Sequence, residues 1–203
     1  MPLCLGVSSF GKAALMIRIA VDAMGGDHAP PVVVDGAVAA SRHGDASIVL
    51  VGAADDLHRA LARHPDRSSL PLDIVDACDV ITMTESPAAA LRRKPRASIR
   101  VAADLLARRE AEALVSAGHT GATVMATHAA LGMIEGVDRP ALAAAIPTAR
   151  RPAVLLDAGA NAECRPHHLL QFAVMGSVYA RVAWGLERPR VCLLYTSPSP
   201  RDS

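Results

Sequence analysis

Aromatic side chains are almost missing: Phe, Tyr and Trp together supply 2% of the 203 residues. Single-stranded nucleic acid therefore finds few rings to stack on. Basic charge is not in excess either. The formal net charge is +1, from 21 basic and 20 acidic residues, so no surplus exists to neutralise phosphate backbones, and a nucleic-acid partner is excluded. Lysine occurs only at Lys12 and Lys94, while arginine is plentiful and alanine fills 40 positions, the signature of GC-rich coding. No apolar run approaches the roughly 18 residues of a membrane span. The four cysteines form no C-x-x-C pair, and no histidine pair stands at zinc-ligand spacing, so no metal is expected. Cys78 and Cys164, without an export signal, read as reduced cytoplasmic thiols, Cys164 as a buried one. G-x-G-x-x-G, G-x-x-x-x-G-K-[ST] and G-x-S-x-G are all absent. That weighs against a Rossmann dehydrogenase, a P-loop hydrolase and a serine hydrolase, and no cofactor is expected. What is there is 51% hydrophobic residues, which rules out global disorder.

The two ends read differently from the middle. Residues 1–15 have no period and precede a clean strand, with Met16 beside it; they are expected to be a non-native or disordered extension. Residues 192–203, CLLYTSPSPRDS, have no helical or strand period and resemble translated adapter sequence appended to an interrupted reading frame. Between them, residues 16–191 carry equal numbers of basic and acidic side chains.

Within that span apolar strands alternate with helices. Strands are predicted at Ile17–Asp22, Ser47–Gly52, Leu72–Val75, Ala113–Ser116 and Ala153–Asp157. Helices are predicted from Pro31 through Val38, over Ala54–Arg63, Ala88–Arg93 and Ser98–Ala107, from Gly121 to Leu131, and over Pro166–Trp184. Strands apolar on both faces and separated by helices indicate a parallel sheet covered on both sides. Phe172 and Tyr179 are seven apart on the last helix, which predicts one close-packed core face. Adjacent His167 and His168 are expected on different helix faces, which disfavours a shared metal.

Ligands of open parallel sheets bind beyond the carboxyl ends of the strands. Three loops at such ends are rich in glycine: Asp22–Pro30, Ser116–Ala122 and Asp157–Asn161. Glycines let backbone N–H groups approach an oxyanion, and a following helix N-terminus adds unpaired donors with partial positive charge. Such loops serve equally as ordinary turns; three on one rim favour an anion site. Thr120 is placed to cap its helix or to bond a phosphate oxygen. His28 and His119 are donors, proton carriers or turn residues. Lys94, with Arg92, Arg93 and Arg96, forms either a solvated face or an anion-attracting rim.

Taken in order, these segments resemble the bacterial acyl-acyl-carrier-protein:phosphate acyltransferases of phospholipid synthesis, the PlsX family. The resemblance runs from Met16 to about Val191. It rests on Ile19-Ala20-Val21-Asp22-Ala23-Met24-Gly25-Gly26-Asp27, Ser116–Ala122, Arg139-Pro140-Ala141, Leu156–Asn161 and Leu169–Ser177. It implies an α/β three-layer sandwich with a mostly parallel sheet, similar to phosphotransacetylases and isopropylmalate dehydrogenases, with the C-terminal part of the fold missing. It also implies transfer of a fatty acyl group from acyl-carrier protein to inorganic phosphate, in a cytoplasmic homodimer associated peripherally with the membrane. On this basis Gly25, Gly26, Gly118, Thr120, Gly121 and Gly159 are the expected phosphate binders, and Lys94, His119, Asp27 and Asn161 the expected catalytic side chains. Three positions depart from the family pattern: His119 replaces an Asn, Thr84 an Asp before Glu-x-Pro, and Ala97-Ser98 a Ser-Ser pair. The alternatives are a truncated, inactive fragment that at most binds anions or carrier protein, and a related dehydrogenase-like enzyme, since fold alone does not fix function.

Overall fold

A computed structural model of the chain describes residues 16–149 and 151–194. The expected extension, 1–15, and most of the expected tail lie outside the described residues. The chain divides into two compact units, Met1–Leu131 and Gly132–Ser203, each taken by itself below.

The first unit repeats strand and helix: β1 Ile17–Asp22, α1 Pro31–Arg42, β2 Ala46–Gly52, α2 Ala54–Leu61, β3 Leu72–Asp76, α3 Pro87–Arg93, α4 Ser98–Ala107, β4 Ala113–Ser116 and α5 Thr120–Leu131. All four strands are parallel, in the order β3-β2-β1-β4. Alternation along each strand sorts its side chains between two faces. Val21, Ile48 and Leu50 pack against Val34 and Val38 of α1 and Leu57 and Leu61 of α2. Ala20, Val49 and Val51 pack against Ala102 and Leu105 of α4 on the other face. These are the three layers that the sequence pattern predicts. A third cluster joins α3, α4 and α5 through Ala90, Ile99, Ala103, Ala122 and Ala126, where alanines let the helices approach closely. The chain passes outward from β1 to β3 and then crosses back to β4 on the far side of β1. The carboxyl ends of β1 and β4 therefore flank the point where strand order reverses, where such sheets hold ligands.

The second unit holds β5 Ala143–Ile146, β6 Ala153–Leu156 and α6 Pro166–Trp184. Here β6, expected as a further strand, pairs antiparallel with β5 in a separate two-stranded sheet. The sequence pattern does not reveal β5 because Ala-Ala-Ala-Ile is poor in the β-branched residues that mark strands. The mostly parallel character stands, four strands against two.

Helix α6 corrects two further expectations. Phe172 is buried, but Tyr179 is 46% exposed and meets Trp184 edge to face with centroids 5.9 Å apart. Leu170, Val174, Val178 and Val182 form an exposed stripe instead. The rings of His167 and His168 touch, with centroids 4.1 Å apart, rather than pointing to separate faces. Cys164 is exposed, not buried. Among the described residues, no helix is long and apolar enough to cross a membrane.

Candidate functional site

The loops that follow β1 and β4 meet at the switch point through glycine. A Cβ on Gly25 would stand 2.5 Å from Asp22 Oδ2 and 2.9 Å from the Gly118 nitrogen. One on Gly118 would stand 2.9 Å from Gly25 Cα. Only two side-chain-free residues permit this contact. Gly26 follows with φ +115°, a conformation that L side chains rarely adopt. Met24, from the same loop, lies over Gly52 at the end of β2, where a Cβ would fall 2.7 Å from Met24 Cγ.

Beneath the glycines, Asp22 and Ser116 face each other at the ends of β1 and β4. The Ser116 hydroxyl donates to Asp22 Oδ2 at 2.7 Å and accepts from the Gly118 N–H at 3.1 Å. Sequence reasoning passes over both residues as loop boundaries. A signal was available: period two puts Asp22 on the same strand face as fully buried Ala20, so a carboxylate ends the buried half of the strand, Ala20–Asp22.

His119 precedes the first residue of α5, and its Nδ1 accepts the Gly121 N–H at 3.1 Å. This is an N-cap performed by an imidazole. It explains the departure from Asn, because Nδ1 stands where an Asn carbonyl oxygen would accept the same bond. With Nδ1 accepting, the neutral ring carries its proton on Nε2, its one ring donor. The cap is His119, not Thr120, which is exposed. The N–H groups of Gly118 and Gly121 are already engaged by Ser116 and His119, so neither is a free donor. Thr120 and Ala122, in the same first turn, have no intrahelical acceptor for theirs.

Lys94 lies 29% exposed with Nζ 2.7 Å from Glu85 Oε2 and 2.6 Å from the Val80 carbonyl. Glu85 also accepts from the Thr82 backbone N–H at 2.9 Å. The Lys94 ammonium, then the Thr82 N–H, hold the Glu85 carboxyl down at about 2. Glu85-Ser86-Pro87 in turn abuts α5, since a Cβ on Gly121 would lie 3.1 Å from Pro87 Cγ. Of the neighbouring cations, Arg96 pairs with Asp76, and Arg92 and Arg93 are exposed. Asp27 and His28 are exposed in the first loop. The first unit thus brings together Gly25, Gly26, Gly118, His119, Thr120 and Gly121, with Lys94 reaching the same neighbourhood through Val80 and Glu85.

Asn161 and Gly159 belong to the second unit. There Asp157 accepts the N–H groups of Leu142 at 2.8 Å, Ala160 at 3.1 Å and Asn161 at 2.7 Å. The Asn161 side-chain amide bridges Asp157 Oδ2 and the Pro140 carbonyl at 3.0 and 2.9 Å. Burial works to raise the Asp157 pKa, but these donors outweigh it and hold the carboxyl below its usual range. Both amide hydrogens of Asn161 are thereby spent on holding the loop. Asp138, His167 and His168 converge in this unit at ligand spacing. His167 Nε2 is 3.1 Å from Asp138, and His168 Nδ1 accepts the Arg165 N–H at 3.1 Å. With Nδ1 so used, the neutral His168 ring bears its proton on Nε2 and has no free lone pair for a metal.

A family described as fatty acid synthesis protein matches residues 17–197. Three curated relatives are each called phosphate acyltransferase. That of Acaryochloris marina is 48% identical over 183 residues, covering 89% of this chain and 53% of the relative. That of Heliobacterium modesticaldum is 51% identical, covering 88% and 53%, and that of Geobacter sulfurreducens 49% identical, covering 88% and 51%. The chain spans about half the length of the curated relatives it matches. With the switch-point glycine turns and this likeness together, the chain belongs to the fatty acid synthesis protein family.

Proposed function

We propose that the chain is the N-terminal portion of a phosphate acyltransferase, transferring a fatty acyl group from acyl-carrier protein to inorganic phosphate. The observation that carries this reading is the contact of two glycine turns, Gly25 against Gly118, at the mouth of a parallel sheet in a chain whose relatives bear that name. Residues 16–191 form the N-terminal portion of the acyltransferase α/β domain in this reading, with 1–15 and 192–203 outside it. It further includes a cytoplasmic homodimer docked peripherally on the membrane, and needs no cofactor.

The chemistry asks little of a base. Phosphate near neutral pH is already an anionic nucleophile; one of its oxygens attacks the thioester carbonyl, the C–S bond breaks, and the carrier leaves as a thiolate that takes a proton from solvent. The protein must hold phosphate against the carbonyl and stabilise the developing oxyanion. Since the Gly118 and Gly121 N–H groups are engaged, phosphate is assigned to the exposed Thr120 N–H at the start of α5 and to the Gly26 turn. His119, through Nε2–H, is the electrophilic partner in the same turn as Thr120. Lys94 organises the Glu85 loop beside them, Asp27 orients groups at the rim, and Asn161 with Gly159 shapes a separate loop. Incubation with acyl-carrier-protein thioester should release free carrier thiol and form acyl phosphate only when phosphate is present. Thiol release independent of phosphate would overturn the reading. That the chain spans half the length of its relatives favours a second reading, in which it binds phosphate or carrier protein without turnover; binding with no acyl phosphate would be its mark.

A further inference from the structure

Asp22 holds a polar atom that the fold buries and leaves unsatisfied. The residue is 3% exposed. Oδ2 is occupied by Ser116, whereas Oδ1 is buried with no hydrogen-bond partner. An unpaired buried acceptor carries the desolvation cost of a hydrogen bond not made, greater when the group is charged, so a donor arriving from outside would relieve a standing penalty. Asp22 lines a cavity of about 10 Å³ with Met24, Gly25, Gly118, His119 and Thr123. That is close to the space one water-sized oxygen needs. Of the residues around it, Met24, Gly118, His119 and Thr123 are half-buried, whereas Ser98, Ile99 and Ala122 are buried. No Lys or Arg lines it.

Two opposed features therefore share this spot. The first turn of α5 offers N–H donors and partial positive charge, which attract an anion. The Asp22 carboxylate is acceptor-only when ionised and repels one. A fully deprotonated oxyanion meets a conflict, whereas an oxyanion that keeps one proton satisfies both. We infer that Asp22 is a specificity residue for hydrogenphosphate. One P–OH oxygen enters the cavity and donates to Asp22 Oδ1, while another oxygen takes the exposed N–H of Thr120. Sulfate, the same shape but without a proton near neutral pH, is rejected. The inference rests on the phosphate site proposed above and adds which ionic form that site selects.

The 203-residue chain is titrated with inorganic phosphate and with sulfate at pH 7.5 and matched ionic strength, following the backbone amides of His119, Thr120 and Ala122 by NMR. Phosphate is expected to saturate these shifts at a concentration at least tenfold below sulfate. Asp22→Asn should bring the two anions within about twofold of each other. Simple relief of charge repulsion would instead tighten both and keep their ratio. Equal binding of both anions by the unaltered chain, or a preference kept by Asp22→Asn, overturns the inference and leaves the phosphate site standing. No response to either anion overturns both. Should Asp22→Asn fail to fold, Ser116→Ala retains the carboxylate and is expected to weaken both anions while keeping the tenfold ratio; loss of that ratio counts against Asp22.

Discussion

Replacing His119 separates capping from chemistry at a single position. Its Nδ1 accepts the Gly121 N–H, so His119→Ala is expected to lower stability of the first unit by about 1 kcal/mol, the usual cost of a lost cap. His119→Asn should restore most of it, because the amide oxygen can accept the same bond. Urea unfolding followed by far-UV circular dichroism measures both. If Nε2–H serves the reaction as proposed, His119→Asn will recover stability and not the full rate of acyl phosphate formation. Asp22 and Ser116 work at the same scale in the opposite sense: their bond stitches β1 to β4 at the site, while the second oxygen of Asp22 is held unpaired.

At the level of elements, α1 carries a removable defect. Gly36 lies inside Pro31–Arg42 with nothing within 4 Å of an added Cβ, and glycine in a helix interior costs about 1 kcal/mol relative to alanine. Gly36→Ala is expected to stabilise the first unit by about 0.5–1 kcal/mol, read in the same urea titration. The Asp157–Asn161 loop makes a prediction in pH. Its carboxyl is held below the ordinary carboxylate range, so the folded state binds its proton less readily than the unfolded chain does. The stabilisation is thus fully present above the unfolded value, near pH 4, and is lost as pH falls through the lower folded value. Trp184, the only tryptophan, sits in the same unit on α6. Its fluorescence should report an acid-dependent loss of stability in that window, and Asp157→Asn should be less stable at neutral pH with a flatter acid profile.

Across the whole molecule the two units differ in how they are held. All three buried apolar clusters of the described residues fall within the first unit, where Leu50 and Leu57 are fully buried. A chain of residues 16–131 is therefore expected to fold alone and unfold cooperatively, and Leu57→Ala within it to cost about 2–5 kcal/mol. A broad, non-cooperative transition by circular dichroism would contradict this. Among its described residues the second unit has a two-stranded ribbon and one helix, and ribbons of that size are marginal by themselves. Its stability should therefore lean on local polar anchors such as Asp157.

The four parallel strands, their helices and the two glycine turns were legible in the sequence because each is local: apolar runs for buried strands, prolines at helix starts, glycines where the chain turns. The family could be read from ordered motifs alone. Only the tertiary structure revealed β5, whose alanines carry no strand signal and which pairs through backbone bonds with β6. The same holds for the exposed stripe on α6, since a helical period says which residues share a face and not what covers it. At the site, local pattern is enough to put Gly25, Gly118 and His119 at strand ends. What their atoms do depends on long-range packing, because hydrogen-bond partners such as Asp22 and Ser116 are 94 residues apart and meet only when β4 returns beside β1. That meeting engages the N–H of Gly118, assigns the cap to His119 rather than Thr120, and leaves Asp22 Oδ1 buried without a donor.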